Sequence, residues 1–149
     1  MRYLVTIFFI TLLTHSISCY GQKYTNNYIE EAKEASKEWW TQINNENYEA
    51  AYNGLAKKNQ HQYTKEQWKT QMLSLIDEIG KLKSRNMTST SFHSEIPSIE
   101  DGFYVIINYD VEYSKTQNHR ESLLLQQNDQ FKWKILSFDW EFQLLELNK

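Results

Sequence analysis

The sequence predicts an α+β domain in which N-terminal helices cover one face of a curved antiparallel sheet of about four strands. Two changes of period predict it. Between Tyr28 and Leu82 apolar residues recur every three or four positions, as on an amphipathic helix. After Lys83 they recur every second position, as on a half-buried strand. A third observation keeps these segments in one unit: one Pro and four Gly among 149 residues leave almost nothing from which to build a linker.

The first helix is expected from Tyr28 to Ile43, where Tyr28, Ala32, Ala35, Trp39 and Ile43 share a face and Glu30, Glu31, Lys33, Glu34 and Lys37 fall elsewhere. Its acidic residues gather near the start, where they suit the positive end of the helix dipole. Asn44 to Asn47 interrupts it, and Tyr48, Ala51, Tyr52 and Leu55 mark a short second helix. Lys57 to Gln62, without an apolar residue, reads as a connector. The third helix has the clearest start in the chain. Thr64 can cap it, Gln67 can close a capping box, and Tyr63 is placed to staple onto Trp68. Trp68, Met72, Leu75, Ile76, Ile79 and Leu82 then form its apolar stripe, with Gly80 as the stop.

Asn86 to His93, rich in Thr and Ser, is expected to be a polar edge strand, and Glu95 to Gly102 a loop around the sole Pro. Phe103, Val105, Ile107, Tyr109, Val111 and Tyr113 alternate with more polar neighbours and give the strongest strand signal. Ser114 to Asn118 reads as a turn into a third strand, Arg120 to Gln127, and Asn128-Asp129 as the next turn. The last strand is expected to open at Phe131, with Trp133 and Ile135 on the same face and apolar residues continuing through Phe138, Trp140, Phe142 and Leu145. Such a meander has one face in need of cover, and the helices supply it.

Ahead of the domain, Met1-Arg2 and the largely apolar run Tyr3 to Leu13 have the pattern of a secretory signal. The run is too short for a membrane span, which needs ~20 apolar residues. Cleavage after Gly21 would leave Cys19 and Gly21 at the two inspected positions, dividing the chain into a signal peptide, 1–21, and one α+β domain, 22–149. The expected product is periplasmic or extracellular, with no integral membrane span. The alternative is a lipid anchor at Cys19, against which Ser16 fills poorly the place of the usual Leu-like residue.

Composition narrows the chemistry further. Cys19 is the sole cysteine, so the domain from Gln22 onward contains no thiol for nucleophilic catalysis, redox pairing or a thiolate metal site. A formal net charge of −3 argues against nucleic acid as a partner. His61, His93 and His119 lie in no metal-ligand spacing; His61 and His119 fall in polar connectors and are expected to be solvated. Asp110 and Glu112 alternate away from the apolar face of the best strand, so they too should meet water, and Asp139 shows no inward pattern. Lys57-Lys58 and the cluster from Lys81 to Arg85 read as solvated surface charge. Accordingly no catalytic, cofactor-binding or metal-ligating residue is assigned.

Trp39, Trp68, the loop from Ile96-Pro97 to Asp101-Gly102-Phe103-Tyr104, the strand Glu121 to Leu125, and Trp133-Lys134-Ile135 together resemble the small exported bacterial family known as domain of unknown function 4019. The resemblance runs from about Ala32 to Phe138. It departs at Ser98 and Ser137, where members of the family usually carry Gly. What it implies is a cone similar to the cystatin-like or nuclear-transport-factor-2-like superfamily, a fold used by enzymes and non-enzymes alike. With five Trp and ten Tyr, the leading expectation is a non-catalytic exported domain. It would bind a small apolar ligand or an envelope protein at the mouth between helices and sheet. The competing readings are a small cofactor-free isomerase or dehydratase with an inward carboxylate, and a structural accessory protein.

Overall fold

The computed structural model describes residues 24–145; the expected signal segment, Gly21 and Cys19 lie outside them. Helix α1 occupies residues 24–44. Its buried face is wider than the expected stripe, because Ser36 and Trp40 continue the four-residue step from Ala32 and are buried beside Trp39 and Ile43. Helix α2, Tyr48–Asn53, follows, capped by the Asn47 side chain.

Lys57–Gln62 is a helix, α3, and not a connector. None of its residues is fully buried. It is held by polar contacts that leave no apolar period: Gln60 Nε2 donates to the Tyr52 and Leu55 carbonyls, and Asn59 Nδ2 to those of Ile135 and Leu136. Helix α4, Lys65–Ile79, has the expected capping box between Thr64 and Gln67, and ends at Gly80 with φ 85°. It buries Trp68, Met72, Leu75 and Ile79, whereas Leu82 already belongs to the sheet.

The sheet is an antiparallel meander in the order β1-β2-β3-β4, comprising Leu82–His93, Tyr104–Tyr113, Thr116–Gln127 and Trp133–Leu144. Two strands begin four residues earlier than expected: β1 takes in Arg85, and β3 takes in His119. Phe131 lies before β4, in the turn, 78% exposed with φ 57°. The inner face of β2 is the alternation Val105, Ile107, Tyr109, Val111 and Tyr113, all buried against the helices. Tyr104 points the other way yet is also buried, because the loop before it folds back and Glu100 offers its carbonyl to the Tyr104 hydroxyl.

Register shifts set the faces of β1, β3 and β4. On β3 the shift lies between Gln117 and Arg120, where Asn118 takes φ 52°. The extra residue turns His119 and Glu121 inward, in line with Leu123 and Leu125. On β4 the shift falls at Leu136, between the pairs Leu125↔Ile135 and Leu124↔Ser137. Inward positions therefore change from Trp133 and Ile135 to Phe138, Trp140 and Phe142. Among the described residues the outer edge of β4 receives one pairing partner, a parallel bridge from Leu55 to Ile135.

Candidate functional site

The carboxylates singled out in the sequence stay on the outside. Asp110 and Glu112 are exposed on the face of β2 turned away from the helices, and Asp139 is exposed on β4, accepting from Ser137 Oγ at 2.7 Å. His61 is exposed on α3, and His93 is half-buried with Ser91 Oγ 2.8 Å from its Nε2. Among the described residues no group of three or more His, Cys, Asp or Glu side chains could hold a metal ion.

One cluster of polar side chains inside the domain comprises Arg85, Tyr113, His119 and Glu121. Expectation put Arg85 and His119 in solvent; the two strand extensions place both within the core. Lateral pairing explains how they meet, since Arg85 faces Val111 and Val111 faces His119, while Tyr109 faces Glu121 two pairs along, on the same face. Arg85 Nε donates to Glu121 Oε2 at 2.7 Å, with side-chain exposures of 7% and 0%. Arg85 Nη2 donates to the Tyr113 hydroxyl at 2.7 Å, and that hydroxyl donates to Glu121 Oε1 at 2.9 Å. The guanidinium also stacks on Trp40, with Cζ 3.5 Å from the ring centroid. His119 rests between Tyr113 and Phe142; its Nδ1 lies 3.3 Å from Thr116 Oγ1, and its Nε2 approaches Glu121 Oε1 at 3.5 Å without completing a hydrogen bond.

Electrostatics follow from these contacts. Burial pushes the Glu121 carboxyl upward, but the neighbouring His119, the Arg85 charge and the hydrogen bonds from Arg85 and Tyr113 outweigh it and hold the group below its ordinary value. Burial, reinforced by the Glu121 charge, pushes Tyr113 upward. Glu121 is thus an ionised acceptor and Tyr113 a neutral donor at neutral pH, a closed set in which each charge is already answered.

A different region opens to solvent. Helix α4 runs beside β4, tied at one end through α3 and at the other by Lys115 N donating to the Ile79 carbonyl and Leu145 N to the Lys115 carbonyl. Between them lies a groove of about 570 Å³. Its walls are Trp68, Met72 and Leu75 of α4 and Phe138 and Trp140 of β4, with Trp39 of α1 in the floor. The rings form a continuous series: Trp68 to Trp39 at 6.5 Å, Trp39 to Phe138 at 5.7 Å, and Phe138 to Trp140 at 4.8 Å. Trp140 is 46% exposed. Gln71, Ser74, Glu78 and Ser137 make the rim. A larger depression of about 980 Å³, between α1 and the start of β4, is lined mainly by Glu and Lys side chains and lacks this apolar floor.

The sequence model of a family described as "Protein of unknown function (DUF4019)" matches residues 35–138. The chain belongs to the DUF4019 family. No curated protein and no solved structure matches it. The DUF4019 match runs from within α1 into β4, so it takes in Arg85, Tyr113, His119, Glu121 and most of the groove. A usable signal for Glu121 was present in the sequence: it shares odd parity with Leu123 and Leu125, as His119 does, and that places both on the apolar face. Arg85 carries no such signal, because its neighbours Lys83, Ser84 and Asn86 are all polar.

Proposed function

We propose that this DUF4019 chain is a non-catalytic, exported binding domain, built on a cone of the cystatin-like or nuclear-transport-factor-2-like kind, whose groove between α4 and β4 receives an apolar ligand or partner segment. One observation carries the reading: a groove floored by Trp39 and Phe138 ends on Trp140, an indole left nearly half in water. Aromatic rings at the mouth of a concave apolar site supply contact area at small entropic cost. The cofactor-free enzyme is the weaker reading, although an inward carboxylate, Glu121, exists. A general base needs an accessible carboxylate whose pKa is raised toward the working pH. Glu121 is shifted the other way, is saturated by Arg85 and Tyr113, and does not line the groove.

Titration with the uncharged fluorescent probe N-phenyl-1-naphthylamine tests the reading. Saturable binding is expected in the native protein, lost in Ser74→Arg, which fills the groove from its exposed rim, and weakened in Trp140→Ala. Binding that is absent, or equal in all three proteins, overturns it.

A further inference from the structure

The groove has an asymmetry that bears on what occupies it. One wall is a helix, but the other is the last strand of the sheet. Past Ile135, no strand among the described residues pairs with the outer edge of β4. Where the edge is paired, the geometry is that of an added strand: Ala56 N donates to the Ile135 carbonyl at 2.8 Å, and Ile135 N to the Gly54 carbonyl at 3.0 Å. The Asn59 amide then caps Ile135 and Leu136, and the intrachain cover ends. From Ser137 to Leu144 the edge continues for eight more residues, a length of roughly 26 Å at the usual rise per residue, and its first part, as far as Trp140, borders the groove.

We infer that the occupant is an extended peptide segment of a partner protein, which adds to β4 as a fifth strand and carries apolar residues alternating with Lys or Arg. This rests on the binding reading above and names the partner's chemistry. Strand addition needs free backbone groups for affinity and side-chain pockets every second residue for selectivity. The edge offers the first, and the ring series from Trp68 to Trp140 offers the second.

Charge selects the other set of side chains. Asp139, Glu141 and Gln143 lie on the face of β4 away from the groove, opposite the inward set Phe138, Trp140 and Phe142. Asp139 and Glu141 are exposed, and Glu78 adds a third carboxylate on the rim. The one cation beside them in register, Arg120, also faces Asp110 on β2. An incoming strand with cations on this face gains cross-strand partners. A second copy pairing β4 to β4 does not: antiparallel pairing about Trp140 would set Asp139 of one chain against Glu141 of the other. Like charges directly opposite are destabilising, a common protection of exposed edges.

The test uses the mature chain and a synthetic eight-residue peptide of alternating lysine and valine, followed by fluorescence and by amide NMR. Saturable binding is expected, with slowed exchange of amides between Ser137 and Gln143. The same peptide N-methylated at alternate backbone nitrogens keeps every side chain but cannot pair from that edge, and should bind at least about tenfold more weakly. Asp139→Lys/Glu141→Lys, altered at exposed positions only, should lose a similar factor while still binding N-phenyl-1-naphthylamine. Equal affinity for the methylated and unmethylated peptides overturns the inference, as does binding that survives the charge reversal. Binding of the naphthylamine without the peptide sinks the inference but spares the groove; binding of neither sinks both. A concentration-dependent dimer in light scattering that Asp139→Lys/Glu141→Lys abolishes would assign the edge to a second copy, and so would also overturn it.

Discussion

Arg85 Nε lies 2.7 Å from Glu121 Oε2, and the two side chains, 36 residues apart in sequence, are almost wholly removed from water. A buried pair of this kind is a poor guide to net stability, because desolvation of two charges offsets most of their attraction. Its strength shows when it is broken. Glu121→Gln or Arg85→Met leaves the other charge buried and unanswered, and each should cost about 3–5 kcal/mol in urea unfolding. Arg85→Met/Glu121→Leu, which removes both charges and keeps the volume, should cost clearly less than the sum. Additive losses would mean that the two groups do not act as a pair.

The same cluster sets the pH range of stability. The folded Glu121 has a lowered pKa, so its contribution is full above the unfolded value, ~4.3, and is lost as pH falls through the folded one. Tyr109 and Tyr113 are raised, chiefly by burial. Their contribution is full below the unfolded value, ~10, and is lost as pH rises further, because the unfolded chain releases those protons first. Stability measured in urea should therefore decline on the acid side of ~4.3 and the alkaline side of ~10. Tyr113→Phe should make the alkaline limb shallower and, because it removes one of the hydrogen bonds that lower Glu121, should weaken the acid limb without abolishing it. An unchanged alkaline slope in that variant would remove Tyr113 from the account.

Trp40 falls outside the apolar face that the sequence predicts for the first helix, whereas Trp68 lies on the predicted stripe of α4. Both are buried, at 5% and 8% exposure, and Trp40 in addition packs edge-on against Phe138 and Tyr109 and carries the Arg85 guanidinium on its face. Trp40→Ala should therefore cost at least as much as Trp68→Ala, each about 3–5 kcal/mol as large core truncations. Trp40→Phe should recover most of the packing, since the indole nitrogen of Trp40 makes no hydrogen bond of its own. A urea midpoint for Trp40→Ala close to that of the native protein would contradict this.

What could be read in the sequence follows a physical division. Elements specified by apolar period or by local capping, such as the α4 box at Thr64 and Gln67 or the alternation of β2, were legible before the structure. Elements specified by contacts distant in sequence were not. Helix α3 depends on Asn59 and Gln60 reaching backbone carbonyls, two of them more than seventy residues away. The inward placement of both Thr116 and His119, three residues apart, depends on a left-handed residue, Asn118, inside what reads as a polar turn. The change of apolar parity after Ile135 was visible in the sequence, but it takes a shift of register to become an open wall at Phe138 and Trp140. The candidate groove is a tertiary product of that shift and of the line that α4 takes between its two anchors.

That line ends at a position that glycine suits and other residues do not. Gly80, at the end of α4, has φ 85° and ψ −158°, a region that side chains avoid. A Cβ there would also collide with Ser114 Oγ, which accepts a hydrogen bond from Lys81 N at 2.9 Å and so joins the helix exit to the β2–β3 turn. Gly80→Ala should destabilise through both causes, by about 2–4 kcal/mol when backbone strain and the displaced contact are combined. The causes separate in a cycle. Ser114→Gly removes the nearest colliding atom, leaving the closer methylene of the flexible Lys115 side chain at 2.9 Å, and forfeits its hydrogen bond, about 1 kcal/mol, but leaves the backbone requirement untouched. Gly80→Ala/Ser114→Gly should then be less unstable than the two single losses summed, yet remain clearly below Ser114→Gly alone. The groove offers an independent readout, because a displaced α4 exit changes the spacing between α4 and β4; binding of N-phenyl-1-naphthylamine should weaken in Gly80→Ala and recover in part in the double variant. A Gly80→Ala protein as stable as the native one, with unchanged probe binding, would show that the helix exit relaxes freely and that Gly80 does not fix the wall of the site.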